Sequence, residues 1–171
     1  MKVETLIIGA GAAGMMCAAH AGPGVLIVDH AKAPGEKIRI SGGGRCNFTN
    51  LHASPQNFIS QNKHFCKSAF GRYTQWDFID LVDSYGIAWH EKTLGQLFCD
   101  NSAKDIIAML RDQMDQAGAQ LWLQTQVGEI GHDGSHFTVA LTRDGRARMV
   151  TASNLVVACG GTSLPKMGAT G

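Results

Sequence analysis

Gly9-Ala10-Gly11-Ala12-Ala13-Gly14 follows the apolar run Val3, Leu6, Ile7 and Ile8, and precedes the helix-like Met15-Met16-Cys17-Ala18-Ala19. Glycines at this spacing between a strand and a helix suit a pyrophosphate. Gly9 permits the tight turn out of the strand, Gly11 lets the backbone approach the anion, and Gly14 lets the helix pack closely on the strand. The start of the helix adds N–H groups that have no intrahelical partner. A second apolar run, Val25-Leu26-Ile27-Val28, ends in Asp29, about 20 positions after Gly9, where a carboxylate that accepts from a ribose 2′-hydroxyl is expected. A free 2′-hydroxyl favours FAD or NAD over NADP. Asp is one methylene shorter than Glu, so His30 or a backbone group is expected to share that contact. Taken alone Asp29 reads better as the polar end of a strand; the βαβ setting turns it into a ligand-binding candidate.

Two further glycine-rich segments carry chemistry. Ser41-Gly42-Gly43-Gly44-Arg45-Cys46-Asn47 cannot serve as a helix or strand interior, where each glycine destabilises by about 0.5–1 kcal/mol relative to Ala. Flanked by Arg45, Cys46, Asn47 and Asn50, it is expected to be a ligand-facing loop. Arg45 is the candidate for stabilising negative charge. Cys46 is a candidate proton donor, with a small packing residue as the equal alternative. The third segment, Ala158-Cys159-Gly160-Gly161 running on to Pro165, lies at the carboxyl end of the apolar run Leu155 to Ala158, the edge over which doubly wound sheets bind ligands. All three turns are expected to converge on one ligand.

The elements that must position these turns are legible in part. Thr74-Gln75-Trp76-Asp77 resembles a capping box and opens a helix with Phe78, Leu81, Val82 and Tyr85 at helical spacing, ended by Gly86; Trp76 and Phe78 are expected in the core. Strand-like pieces follow at 87–90 and 96–99, and Ser102 opens a helix striped by Ile106, Ile107, Leu110 and Met114. From Ala119 the pattern turns to strands: 121–123, 127–130, 137–141, a turn at Arg143-Asp144-Gly145, 147–150 and 155–158. The expected architecture is α/β and Rossmann-like, a parallel sheet with an inserted three-stranded antiparallel meander. By fold-level analogy that meander separates the FAD domain of the glutathione-reductase type from a plain NAD domain.

A chain of 171 residues, 44% hydrophobic and 17% charged, has the composition of an ordinary globular domain. The net charge of +1 excludes a global field that would commit it to nucleic acid or membrane. Local basic clusters at Lys32, Lys37, Arg39 and Arg45, and at Lys63, Lys67 and Arg72, read by default as solvated surface. Five cysteines without a C-x-x-C spacing show neither a disulfide framework nor a zinc site and favour a reducing, cytoplasmic setting, and Cys17 and Cys159 are expected to be buried. His64 near Cys66, and His132 near His136, lack further ligands at a supporting spacing, so no metal is expected. No apolar run approaches the roughly 20 residues needed to span a bilayer.

With these residues in hand, the chain resembles the BaiN/RdsA-type family of NAD(P)/FAD-dependent oxidoreductases, bacterial flavoproteins. The resemblance rests on Ile7 to Gly14, on Lys37 with Ser41 to Asn50, on Gly95-Gln96-Leu97-Phe98, and on Val157 to Gly161. It implies that Gly9, Gly11, Ala12, Ala13 and Gly14 hold the FAD pyrophosphate, that Asp29 takes the adenosine ribose, and that Val127 offers its backbone to adenine. It places Lys37, Ser41, Gly42, Gly43, Gly44, Arg45, Cys46, Asn47, Ala158, Cys159, Gly160 and Gly161 along the flavin side. The implied reaction passes a hydride from NAD(P)H through flavin to an activated carbon–carbon double bond, in a steroid-like acid or in a uridine of ribosomal RNA; the substrate stays open. Two departures stand out. The family's Ala-Thr-Gly turn is Ala158-Cys159-Gly160, and the sequence given ends at Gly171, before the expected substrate domain and the carboxyl-terminal return to the flavin. Residues 1–171 are therefore expected to be the amino-terminal portion of an FAD-binding domain, with weak FAD retention and negligible turnover alone. A nicotinamide-only dehydrogenase, and a non-catalytic nucleotide- or RNA-binding fragment using Lys63, Lys67 and Arg72, are the rival readings.

Overall fold

A computed structural model describes residues 1–161. In chain order the elements are β1 (Lys2–Ile8), α1 (Ala12–His20), β2 (Val25–Val28), α2 (Glu36–Ile40), β3 (Asn47–Asn50), α3 (Lys67–Phe70), α4 (Gln75–Ser84), β4 (Trp89–Glu91), β5 (Gln96–Cys99), α5 (Ala103–Gln116), β6 (Gln120–Trp122), β7 (Thr125–His132), β8 (Phe137–Arg143) and β9 (Arg146–Val157). They form two compact units, one of residues 1–37 with the chain from Leu110 onward, the other Ile38–Met109.

The first unit is built on a six-stranded sheet in the order β6-β2-β1-β9-β8-β7. β2, β6 and β9 join β1 in a parallel array, and β8 and β7 add to β9 antiparallel. All four residues of β2 are buried, as a strand covered on both faces of a parallel sheet requires. A core cluster gathers Val3, Leu6, Leu26, Val28, Val139, Leu141, Val150 and Ala152, with Ile8, Trp122, Val127 and Leu155 packed against it. Each fully buried Leu contributes roughly 1.5–3 kcal/mol. The exposed pair Arg143–Asp144, with 3.9 Å between Nε and Oδ2, adds about 1 kcal/mol at most, so apolar burial holds this unit together.

The meander is present as β7-β8-β9, with one difference from the sequence reading. Segments 147–150 and 155–158 are not separate strands but parts of the twelve-residue β9. Its first half pairs with β8 and its second half with β1, so Ala152 faces both Phe137 and Val3. The polar stretch Thr151-Ala152-Ser153-Asn154 looked like a break because it alternates no clear apolar face. Thr151 and Ala152 pair with β8 on one side and β1 on the other, and Asn154 pairs with Thr5 of β1; that pairing is invisible in composition.

The second unit carries a separate antiparallel sheet, β3-β5-β4. The capping box of α4 forms as expected: Thr74 Oγ1 accepts from the Asp77 N–H at 3.4 Å, and the Asp77 carboxylate accepts from the Thr74 N–H at 2.6 Å. These bonds from Thr74 hold the Asp77 carboxyl below its usual range. Trp76 is a correction: it is 55% exposed, because the first turn of α4 points its side chain away from the stripe that buries Ile79 and Val82. Phe78 is half-buried and meets Phe48, which also contacts Trp89 edge-on. A third correction concerns 47–50, expected as loop and observed as β3, paired with β5 through a bulge between Asn47 and Thr49.

Candidate functional site: a nucleotide cradle on the six-stranded sheet

The Gly9–Gly14 turn joins the end of β1 to the start of α1 with little free space on its protein side. Gly9 adopts φ +108°, and a Cβ there would lie 2.4 Å from the Ala158 carbonyl oxygen. The first and third glycine turns are thus in backbone contact, stitched by the Ala158 N–H donating to the Ile8 carbonyl at 2.7 Å. A Cβ on Gly14 would stand 1.8 Å from the Gly9 carbonyl oxygen, so only glycine lets α1 sit this close to β1. Gly11 differs. Among the described residues a Cβ on it would meet nothing within 4 Å, and its φ of −82° is open to any residue. Ala12 and Ala13 are exposed beside it, no side chain caps the first turn of the nine-residue α1, and that turn holds no acidic residue. Unpartnered amides at the positive end of a helix, facing open space over a glycine, fit an anionic pyrophosphate.

Asp29 ends β2 on the same rim and is more heavily engaged than the sequence implied. Its Oδ2 accepts from the Ala10 N–H at 2.6 Å and its Oδ1 from the Ala31 N–H at 2.8 Å. The carboxylate therefore braces the glycine turn, and a carboxylate has about four acceptor sites, leaving capacity for a ribose hydroxyl. The turn is held from the other side by the Gly35 N–H donating to the Ala10 carbonyl at 2.8 Å. His30 is exposed, with Nδ1 3.4 Å from Asp29 Oδ1, a position from which it shares the contact when protonated. The backbone of Asp29 also ties in β6 and β7, its N–H to the Trp122 carbonyl at 3.0 Å and its carbonyl to the Thr125 N–H at 2.9 Å. Val127 lies two residues along β7, at the edge of the sheet and paired with Leu141.

Lys37 Nζ donates to the Gly161 carbonyl at 2.9 Å and stands 3.3 Å from where a Cβ on Gly160 would lie, so the third turn carries a cation. Cys159 is exposed rather than buried, and Cys17 is half-buried: the strand ends at Val157, and the cysteine rides on the turn. The stretch Thr162–Pro165 of the third turn lies outside the described residues.

The Ser41–Asn47 segment belongs to the second unit. Gly42, Gly43 and Gly44 take φ of 57°, 66° and 88°, three successive left-handed positions that side chains would strain. A Cβ on Gly42 would lie 2.5 Å from the Phe98 ring. Ser41 Oγ donates to the Ile38 carbonyl at 3.0 Å, Arg45 is exposed, and the exposed Asn47 turns its amide nitrogen toward the Thr49 and Leu97 carbonyls at 3.0 and 3.2 Å. Asn47 thereby serves the sheet. Asn50 does likewise, donating to the Leu94 carbonyl at 2.9 Å.

Cys46 is buried, and burial raises its thiol pKa, partly offset by a hydrogen bond with Ser41. Cys99 is pushed up to about 12 by burial, with Cys46, Asp105 and Asp100 adding smaller electrostatic contributions. Of the two roles considered for Cys46, packing is the one this environment favours. Thiol alkylation of the native protein near pH 8 is accordingly expected to label Cys159 and to spare Cys46 and Cys99, because the thiolate is the reacting form. Rapid labelling of Cys46, read by peptide mass spectrometry, would reverse that assignment.

Sequence reasoning missed one pair. His90 Nδ1 lies 2.6 Å from Asp100 Oδ1, and the imidazole stacks on Phe98, the ring that Gly42 overlies. A carboxylate only accepts, so Nδ1 carries the proton and Nε2 is left to accept, or to donate when the ring is charged. The two residues flank the Gly95 turn on β4 and just past β5, and only the antiparallel register brings them together. Among the described residues no group of three or more His, Cys, Asp or Glu could hold a metal ion, and no helix is long and apolar enough to cross a membrane.

A parallel βαβ unit with a glycine turn at the carboxyl end of its first strand, extended by an antiparallel meander, defines a Rossmann-type α/β domain. The chain belongs to the HI0933-like family, whose Rossmann domain matches residues 3–171. It is 52% identical over 99% of its length to the ribosomal RNA dihydrouridine synthase of Escherichia coli K12, and spans 42% of that protein. Among solved structures it resembles the 3-ketosteroid-Δ4-(5α)-dehydrogenase of Rhodococcus jostii RHA1 (TM-score 0.68, 15% identity, 94% of this chain and 46% of that one). It also resembles a flavoprotein/dehydrogenase of Cytophaga hutchinsonii (TM-score 0.55, 19% identity, 98% and 42%). At these identities the structural likeness concerns the fold.

Proposed function

We propose that residues 1–171 are the FAD-binding portion of a flavin-dependent reductase whose substrate is a uridine in ribosomal RNA. The observation that carries the cofactor is the open space over Gly11 at the uncapped start of α1, beside an Asp29 that braces the turn. The uridine rests on the 52% identity to a ribosomal RNA dihydrouridine synthase. Bound FAD would supply hydride chemistry, taking electrons from NAD(P)H and delivering them to the uracil double bond.

The chain's own residues bind and position. The Ala12, Ala13 and Gly14 amides take the pyrophosphate, Asp29 and His30 the ribose, and the Val127 backbone the adenine. Lys37 fixes the Ala158–Gly161 turn and brings positive charge to it, while Ser41 to Asn47, with Arg45 exposed, supply the loop assigned to the flavin end. A cytoplasmic location suits an RNA substrate and free thiols. The nicotinamide-only reading leaves the three-stranded meander without a use, and Lys63, Lys67 and Arg72 are exposed, as solvated surface residues are.

Gly11→Val separates the cofactor role from folding. It is expected to leave the urea midpoint unchanged and to weaken FAD binding at least tenfold, that is by about 1.4 kcal/mol, because the new side chain fills the pyrophosphate's space. Flavin absorbance and fluorescence titration read the affinity. NADH binding without any FAD binding would overturn the cofactor, and the absence of a two-hydrogen mass gain on ribosomal uridine, with FAD bound and NAD(P)H supplied, would overturn the substrate.

A further inference from the structure

The far end of the β8–β9 hairpin concentrates positive charge in a way the cofactor site does not require. Its turn, Asp144-Gly145, has φ of 51° and 71°, the tight geometry that keeps the two strands in register. Arg143 is paired directly with Arg146, and Leu141 with Arg148. Directly paired residues of an antiparallel ladder project to the same face. Since Leu141 is buried in the core, Arg143, Arg146 and Arg148 all stand on the rim of that core face.

Like charges placed directly opposite on a ladder are destabilising. The local compensation is Trp122: the guanidinium carbons of Arg143 and Arg148 each lie 5.4 Å from its ring centroid. Such contacts contribute about 0.5–1 kcal/mol each at exposed sites. Among the described residues Arg146 has no such contact, and the ion pair in this group is the long one from Arg143 to Asp144, 3.9 Å. Sealing Trp122 accounts for two arginines. It does not account for a third placed opposite the first, where a neutral residue would be more stable.

A guanidinium held over an indole keeps its planar fork of N–H donors, here with Arg143 Nε turned toward Asp144, and such a fork suits bidentate contact with phosphate oxygens. We infer that Arg143, Arg146 and Arg148, held around Trp122, form a docking surface for the phosphodiester backbone of the RNA substrate. This rests on the ribosomal RNA reading above and adds to it the surface that carries the strand. The contact is to backbone, so it supplies affinity and salt dependence and leaves sequence choice to other residues.

The test uses the full-length protein with FAD bound and deproteinised ribosomal RNA as probe, titrated between about 50 and 200 mM salt. The double variant R146E/R148E is expected to weaken binding more than tenfold at the lower salt and to flatten the slope of log affinity against log salt by roughly 1.5. Its flavin content should equal that of the parent. R146K/R148K keeps the charge without the planar fork and should restore the slope but only part of the affinity, which excludes misfolding as the cause. If the parent binds RNA and R146E/R148E binds it with the same affinity and slope, this surface is wrong while the substrate reading stands. If the parent with FAD bound binds no RNA, the substrate reading falls and takes the surface with it. Equal loss of binding to anionic lipid vesicles, with RNA binding intact, would assign the patch to a membrane instead and overturn the inference.

Discussion

Gly14→Ala is expected to destabilise the protein by about 3 kcal/mol and to abolish FAD retention with it. The added methyl would lie 1.8 Å from the Gly9 carbonyl oxygen and 3.0 Å from its carbon, both backbone atoms that cannot rotate aside. Gly9 cannot retreat either, because its own Cβ position is 2.4 Å from the Ala158 carbonyl oxygen. Relief therefore requires α1 to lift from β1, opening the contact over Ile27, whose Cδ1 is 3.4 Å from the same point. Against a total stability of roughly 5–15 kcal/mol for a domain, that loss is large. Urea denaturation read by circular dichroism measures it. A midpoint matching the parent would show that α1 has slack that this geometry does not allow. The contrast with Gly11→Val, expected to fold normally and bind FAD poorly, separates a glycine demanded by packing from one demanded by a ligand.

Asp29→Ala is expected to reduce stability by about 1–3 kcal/mol and FAD affinity by at least tenfold. Ala10 is fully buried, so removal of the carboxylate leaves its N–H without an acceptor and without water. Asp29→Asn retains the shape but can offer only one oxygen to two N–H donors, at Ala10 and Ala31, and turns an NH2 toward the other. It should fall between the parent and Asp29→Ala in stability. Thermal unfolding of the apoprotein and flavin fluorescence titration, taken together, distinguish two roles. Loss of affinity with an unchanged unfolding midpoint would mean that the carboxylate acts on the ribose alone. Loss of both, in proportion, is expected from a group that holds the turn and through it the ligand.

The βαβ start, the glycine turn, the α4 cap at Thr74 and Asp77 and the presence of a meander were all legible in the residues. These are local features: a glycine at a left-handed φ, a side chain that reaches its own backbone, and an apolar run with a fixed period. The candidate cradle was legible for the same reason in its first half. Gly9, Gly11, Gly14 and Asp29 are spaced by the geometry of a single strand-turn-helix-strand unit.

What required the fold were the pairings between distant segments. The continuity of β9 depended on partners more than a hundred residues away in β1, since a polar stretch stays extended when neighbouring strands satisfy its backbone. Trp76 looked like core by type, yet exposure is set by which face of α4 packs. The His90–Asp100 pair and the row of Arg143, Arg146 and Arg148 follow from antiparallel register, which the turn and the core select. Asp29 belongs to both accounts. Its place after β2 was written in the sequence, but that its oxygens brace the Ala10 and Ala31 amides was decided by the closure of the glycine turn over the strand end, because a hydrogen bond depends on distances that only the assembled backbone sets.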